Sequence, residues 1–285
     1  MPSLVVAREI LREASRRKLL FALVALTLVV IALTVWGFSR IADLRTGGQP
    51  LPPVQQTAIT SQLLILVMFM FSQAVMLSSA FVAAPAISAE VESGISLALL
   101  ARPIARAEYV LGKWLGLVAL LAGYGIGAGV VELLAVRAVT GYAPPHPIEF
   151  LAFVLGEGAV IITLALALST RLAGIVGGVV AVIASGIAWI GGIVEGVGTA
   201  FANDTITHVG TATKLILPTD GLWRGAVWSL EPAAVIAGFA NAGPAAAGNP
   251  FFAATPPPSA YLVWSVAWIA GVLALAVWSF RAREV

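Results

Sequence analysis

Apolar and polar positions along this chain segregate into long blocks instead of alternating at short period. Runs near Leu19–Phe38, Gln62–Val82, Trp114–Val136, Phe150–Ser169, Ala173–Val194 and Ala260–Phe280 are almost free of charge. About 20 apolar residues in helical geometry cross the ~30 Å hydrocarbon layer of a bilayer. In lipid, backbone groups must be satisfied within the segment, which a helix does and an open strand does not. The runs are also about twice as long as the strands of an outer-membrane barrel. The pattern therefore predicts an all-α polytopic membrane protein with six transmembrane helices. Only Thr170-Arg171-Leu172 separates the fourth and fifth runs, so those two should form a tight hairpin.

The polar blocks carry their own patterns. In Ser3–Lys18, Leu4, Ala7, Ile10, Leu11 and Ala14 share one helical face, while Arg8, Glu9, Arg12, Glu13 and Arg16 fill the other. Such a helix lies in the membrane interface. It is predicted over 1–18 and leads into a single transmembrane domain over 19–285. It does not resemble a cleaved leader, because the run from Leu19 is of span length and no small-residue cleavage site follows it.

The connector 83–113 is too polar to span and too organised for a passive loop. Pro85 can break the second span, and Ser88 can cap a short helix running to about Leu100. Arg102-Pro103 closes that helix, since the residue before proline disfavours helical geometry. Ala107-Glu108 then restarts a helix that becomes the third span. A short rigid helix joined to two spans can pass a partner's movement into the membrane. Glu92 and Arg106 offer charged contacts, and Leu99 and Ile104 offer apolar anchors.

Composition agrees with the membrane reading. The 285 residues are 60% hydrophobic and 11% charged, where soluble domains carry about 25% charged residues. The net charge of +2 does not imply nucleic acid, because the basic residues flank apolar runs instead of forming one patch. Their distribution sets an orientation. Eleven of the 16 Lys and Arg fall before the first span, in 83–113, at Arg171 or in the C-terminal tail. The positive-inside rule then places both termini in the cytoplasm, in a cell inner membrane. With no cysteine, disulfides and thiolate metal sites are excluded.

Beyond the fifth run lies the long outer loop 195–259. Within it, Lys214–Pro218 and Gly221–Trp228 read as short interfacial helices, with Trp223, Val227 and Leu230 facing lipid or the span tops. Glu132 and Glu157 lie in the third and fourth runs, where a lipid-facing carboxylate is costly. They mark a candidate intramembrane polar site, or a structural pairing such as Glu132 with Arg137. The glycines of the third and fifth runs permit close helix approach. His146 and His208 are far apart in outer loops and read as solvated residues. No G-x-x-x-x-G-K-[ST] motif occurs: around Gly112-Lys113, Ala107 and Trp114 stand where it needs Gly and Ser/Thr. The chain is therefore not read as an enzyme, and no metal or cofactor site is assigned.

The residue order E-x-E-S-G-x-x-x-x-L-L-x-R-P-I-x-R-x-E-Y-V-L-G-K, from Glu90 to Lys113, resembles the cytoplasmic coupling segment of ABC-2 type permeases. More narrowly, it is similar to the branch that includes the permease of nitrous-oxide-reductase maturation systems. The likeness extends to the basic N-terminus, the six spans and the long loop before the last one. One departure is Ile95, where the family commonly has Thr after the Gly. The resemblance implies a permease subunit of an ATP-binding cassette exporter. It implies pairing with a second copy of itself and with two copies of an ABC ATPase subunit that binds the ATP. Glu90, Glu92, Gly94, Leu99, Arg102, Pro103 and Arg106 are then the candidate ATPase-docking residues. By the resemblance the outer loop is a partly re-entrant cap over the exit side. It reads either as a gate or contact for an outer-face accessory protein, or as a linker that hugs the interface. The competing reading is an ATP-independent secondary transporter or channel, which calls for an internal inverted repeat and a charged midplane site. No repeat is visible, and the cargo is not legible in these residues.

Overall fold

Each charge-poor run forms a helix. The computed structural model describes residues 3–9, 18–46, 48–94, 105–240, 246 and 248–283. The spans are α1 (Lys18–Ser39), α2 (Pro53–Ala83), α4 (Arg106–Thr140), α5 (Pro147–Ser169), α6 (Gly174–Ala200) and α10 (Ser259–Arg281). Among the described residues, six helices are long and apolar enough to cross a membrane, and the protein is multi-pass. Between α1 and α2 lies a two-residue antiparallel ladder, Arg45–Thr46 with Gln49–Pro50, turned at Gly48 with φ +83°. Other helices among the described residues are α3 (Pro85–Glu92), α7 (Asp204–Ile216), α8 (Asp220–Leu230) and α9 (Ala233–Ala240).

The bundle is built around α5, which packs against α2, α4, α6, α10 and the non-spanning helices α3 and α8. Its buried residues Phe150, Val154, Ile161, Ala165 and Leu166 form the centre of the core. The first span lies outside this centre and packs mainly on α4, where Thr27 and Tyr124 share a hydrogen bond of 3.0 Å. Its other face exposes Leu26, Val29, Leu33 and Trp36, an apolar surface that suits lipid. The glycines of α4 divide by face. An added Cβ would meet Leu155 at Gly125 and Leu151 at Gly129, whereas Gly123 and Gly127 face open space.

Residues 3–9 and the C-terminal end of α10 lie at one end of the bundle, the terminal face. A Cβ on Gly112, near the start of α4, would lie 2.6 Å from the Ser3 carbonyl oxygen and 2.8 Å from Val6 Cβ. The segment 3–9 therefore rests on the base of the third span. Its packing face is Ser3, Val6 and Ala7, one position off the expected stripe, and Leu4 is exposed. Residues 10–17, with Ile10, Leu11 and Ala14, lie outside the described residues. At the same end, the Arg283 guanidinium donates to the Thr170 carbonyl at 2.7 Å, and Arg171 donates to the Ser279 hydroxyl at 2.9 Å. The tight turn after α5 thus pins the C-terminal end of α10.

The segment after the fifth span departs most from expectation. The α6 helix runs on to Ala200, so Glu195 is helical. The first interfacial helix is not Lys214–Pro218 but the longer α7, which ends at Ile216. It folds back antiparallel along α6: Gly198 meets Thr207, Gly210 meets Glu195 and Gly191 meets Thr213. Asn203 caps its start by accepting the Ile206 N–H at 3.1 Å. From the end of α6 to Gly191 is nine residues, about 14 Å of helix, so α7 dips well below the top of the bundle. The return arm α8 climbs along α5, with Gly225 against Phe153 and Leu222 against Gly156. Trp223, Val227 and Leu230 are buried against the spans, not lipid. Together α7 and α8 form a re-entrant hairpin on the distal face.

Candidate functional site

On the terminal face, α2 runs almost straight into α3. Pro85 removes one backbone N–H and starts a new helix, with Ala84 still in helical geometry. The expected start at Ser88 is corrected: Ser88 lies inside the helix and donates to the Ala84 carbonyl at 3.4 Å. The expected run to Leu100 is also corrected. The helix stops at Glu92 because Gly94 takes a left-handed conformation, φ +74°, and returns its N–H to the Val91 carbonyl. Leu99, Arg102 and Pro103 lie outside the described residues. Past them, Glu108 accepts the Ala105 N–H at 3.3 Å, closing the start of α4 at the place the sequence indicates.

Three contacts bind α3 to the bundle. The Glu90 carboxylate takes Lys113 on one oxygen and the Tyr109 hydroxyl on the other, both from the first two turns of α4. The Lys113 side chain is 10% exposed and that of Glu90 is 23%, so this pair is substantially desolvated. A Cβ at Gly174, the first residue of α6, would lie 2.8 Å from Pro85 Cα and 3.1 Å from the Ser88 hydroxyl. The fifth span therefore abuts the connector helix directly. Next to these, Arg106 donates from one nitrogen to the carbonyls of Phe280, Arg281 and Arg283, at 3.2, 2.9 and 2.7 Å. It satisfies carbonyls that a helix C-terminus leaves without partners. Of the candidate docking residues, Glu90 and Arg106 thus turn inward, whereas Glu92 is exposed and Gly94 partly so. Lys113 and Tyr109 are the members that sequence reasoning missed. The spacing from Glu90 becomes meaningful only once the intervening chain turns back.

On the distal side, the tip of the hairpin gathers charge. The Glu195 carboxylate takes Lys214 and accepts the Thr211 hydroxyl at 2.6 Å. Arg224 holds Asp220 at 3.2 Å and the Gly192 carbonyl at 2.9 Å. The Tyr261 hydroxyl accepts the Gly221 N–H at 3.2 Å. Near this tip, Glu157 is 1% exposed and accepts the Ser72 hydroxyl at 2.6 Å. Glu132 lies elsewhere. It is buried against Thr34 of α1 rather than paired with Arg137, so the two carboxylates named from sequence do not form one site. The signal for the hairpin charges was present as Asp220 and Arg224, four residues apart.

The top of α8 is closed by another set. Tyr142 donates to the Leu230 carbonyl at 2.5 Å, and the His146 ring stacks on Trp228 at 4.4 Å between centroids. His146 is therefore packed, not merely solvated. Burial pushes the adjacent Glu231 carboxyl up to about 8. The Gln62 side chain and the Ala253 backbone face it without closing a hydrogen bond.

The arrangement on the terminal face is a mechanical one: a short helix with an exposed acidic end, tied to three spans. The family model for ABC-2 family transporter proteins matches residues 80–285, from the end of α2 through α10, and the chain belongs to that family. It is a membrane subunit of an ABC transport system, not itself the catalytic part, and membership implies an ABC ATPase as its partner. No curated protein sequence matches the chain at a significant level.

Proposed function

We propose that this permease couples ATP hydrolysis by its ATPase partner to export, with α3 and the chain after it as the docking element. The observation that carries this reading is the build of α3. Its inner side is tied to α4 and α6 through Glu90, Lys113, Tyr109 and Gly174, while Glu92 stays exposed. A push on an element so tied moves spans instead of bending a loop. Glu92 and Gly94, with Leu99, Arg102 and Pro103, make the contact. Glu90 and Arg106 pass the displacement to the third and sixth spans. The basic residues around both termini support a cytoplasmic orientation for this face, in an inner membrane. Two permeases and two ATPases form the working unit, the exposed apolar face of α1 being available to a second copy or to lipid.

Affinity purification of the tagged protein from its native membrane, wild type beside Glu92→Arg, tests this. An ATP-binding subunit should accompany the wild type and be lost from the variant. Absence of any ATPase from both under mild detergent would remove the docking reading.

A further inference from the structure

A cavity of about 470 Å³ opens beside the hairpin on the distal face, a size ordinary for small-molecule sites. Its polar wall is Lys214, Arg224 and Tyr261, and its apolar wall includes Phe239, Phe252 and Pro257. The carboxylates that neutralise the two cations do not line it. Asp220 has no exposed side-chain surface, and Glu195 holds Lys214 from α6. Each ion pair therefore turns its positive end to the cavity. Arg224 uses Nε on Asp220 and one terminal nitrogen on Gly192, and its other terminal nitrogen, Nη1, has no hydrogen-bond partner among the described residues. Opposite, the Phe239 and Phe252 rings pack at 4.6 Å between centroids, an apolar surface continuous with the proline run before α10.

A site walled by two cations and by a pair of packed aromatic rings matches one chemistry. We propose that this cavity binds an amphiphilic anion, its carboxylate or phosphate head between Lys214 and Arg224 and its hydrocarbon chain along Phe239, Phe252 and Pro257. The guanidinium, held in place through Nε and one terminal nitrogen, has Nη1 left to donate to an oxyanion, and the low-polarity wall strengthens that contact. The head group could belong to an acidic bilayer lipid or to a free single-chain amphiphile. The inference rests on the export reading only for the direction in which such a ligand travels.

The test is photolabelling of the full-length protein in phosphatidylcholine nanodiscs with a diazirine-bearing palmitate, followed by peptide mapping. Saturable labelling is expected within 214–224 or 252–261. An excess of palmitate should compete, whereas hexadecanol, with the same chain and no charge, should not. Lys214→Gln should cut labelling about tenfold, as loss of a charge-assisted hydrogen bond does, and Lys214→Arg should retain it. Ala254→Trp, which fills the cavity from its exposed rim and touches neither ion pair, should abolish it in a protein that still folds. Competition by added phosphatidylglycerol would assign the site to bilayer lipid, and its absence to a free amphiphile. Either supports the head-group chemistry. Equal competition by hexadecanol, or labelling unmoved by both Lys214→Gln and Ala254→Trp, overturns the proposal. Since no ATPase enters the assay, such a failure would leave the docking reading to its own test.

Discussion

Lys113 reaches across from the second turn of the third span to hold Glu90 of the connector helix, with Tyr109 on the other carboxylate oxygen. The pair makes the connector and the base of α4 one rigid piece. Removing Glu90 leaves a poorly solvated ammonium group, a loss on the order of 2 kcal/mol. Glu90→Ala should therefore lower the thermal unfolding midpoint in detergent. It should also uncouple the assembled complex, with ATPase still bound but its hydrolysis rate no longer responding to the permease. The swap Glu90→Lys with Lys113→Glu should recover much of both. A double variant no better than the singles would show that the pair is not the link.

At Gly112 there is no room for a side chain. The Ser3 carbonyl and Val6 occupy the space a Cβ would need. Gly112→Val should lift the N-terminal segment from the third span while leaving the helix itself intact. Hydrogen exchange should then show faster exchange over residues 3–9 and no change over 115–135. Unchanged protection over 3–9 would mean that the contact does not form in the membrane.

How far the sequence discloses this architecture depends on which force shapes each part. The spans are legible because lipid demands long apolar runs. Each run overlaps an observed helix, although α2 and α4 begin nine and eight residues earlier than expected and α6 ends six residues later. The start of α4 is legible because Glu108 caps it locally. The inward turn of Glu90 is not, since a lone carboxylate in a polar segment reads as solvent-facing until the fold brings Lys113 beside it. The α7 arm is half hidden for another reason. Its packing rests on Thr207 and Thr213 against Gly198 and Gly191 of α6 and on Gly210 against Glu195, a fit of small residues. Its apolar positions Ile206, Val209 and Ile216 stay exposed and do not mark the packing face. The continuation of α6 past Val194 is missed because Glu195 looks like the start of a loop, whereas Lys214 neutralises it.

Gly210 tests that small-residue fit. A Cβ there would lie 2.3 Å from the Glu195 amide nitrogen and 2.6 Å from its Cα, backbone that cannot yield cheaply. Gly210→Val should separate α7 from α6 and break the Glu195–Lys214 pair. The protein contains no cysteine, so introduced thiols report cleanly. A single cysteine at Thr207, which faces α6, should be slow to react with a membrane-impermeant maleimide and should become fast in the Gly210→Val background. Equal rates in the two backgrounds would refute the packing.

Arg106 makes a comparable claim at the other end. Its guanidinium gathers three carbonyls at the C-terminal end of α10. Arg106→Ala should fray that end by roughly one turn, costing on the order of 2 kcal/mol for the charged hydrogen bonds. Faster hydrogen exchange over 278–283 checks it, with the rest of α10 unchanged.

Glu231 predicts a pH dependence whose sign follows from its burial. Its carboxyl sits near 8 in the folded protein, against about 4.3 in an unfolded chain. Between those values the folded state binds more protons than the unfolded one, so stability is greatest at the acid end and falls as pH rises towards 8. Above about 8 the loss is complete and the curve flattens. Tyr142 feels the same charge: burial raises its hydroxyl, and ionised Glu231 raises it further. Glu231→Gln removes the titration while keeping a similar shape. Thermal unfolding midpoints measured from pH 5 to pH 9 should decline for the wild type and stay nearly level for Glu231→Gln, with the variant the more stable of the two at pH 9. If the two curves run parallel across that range, the carboxyl is charged throughout and the top of α8 is wetter than its packing indicates.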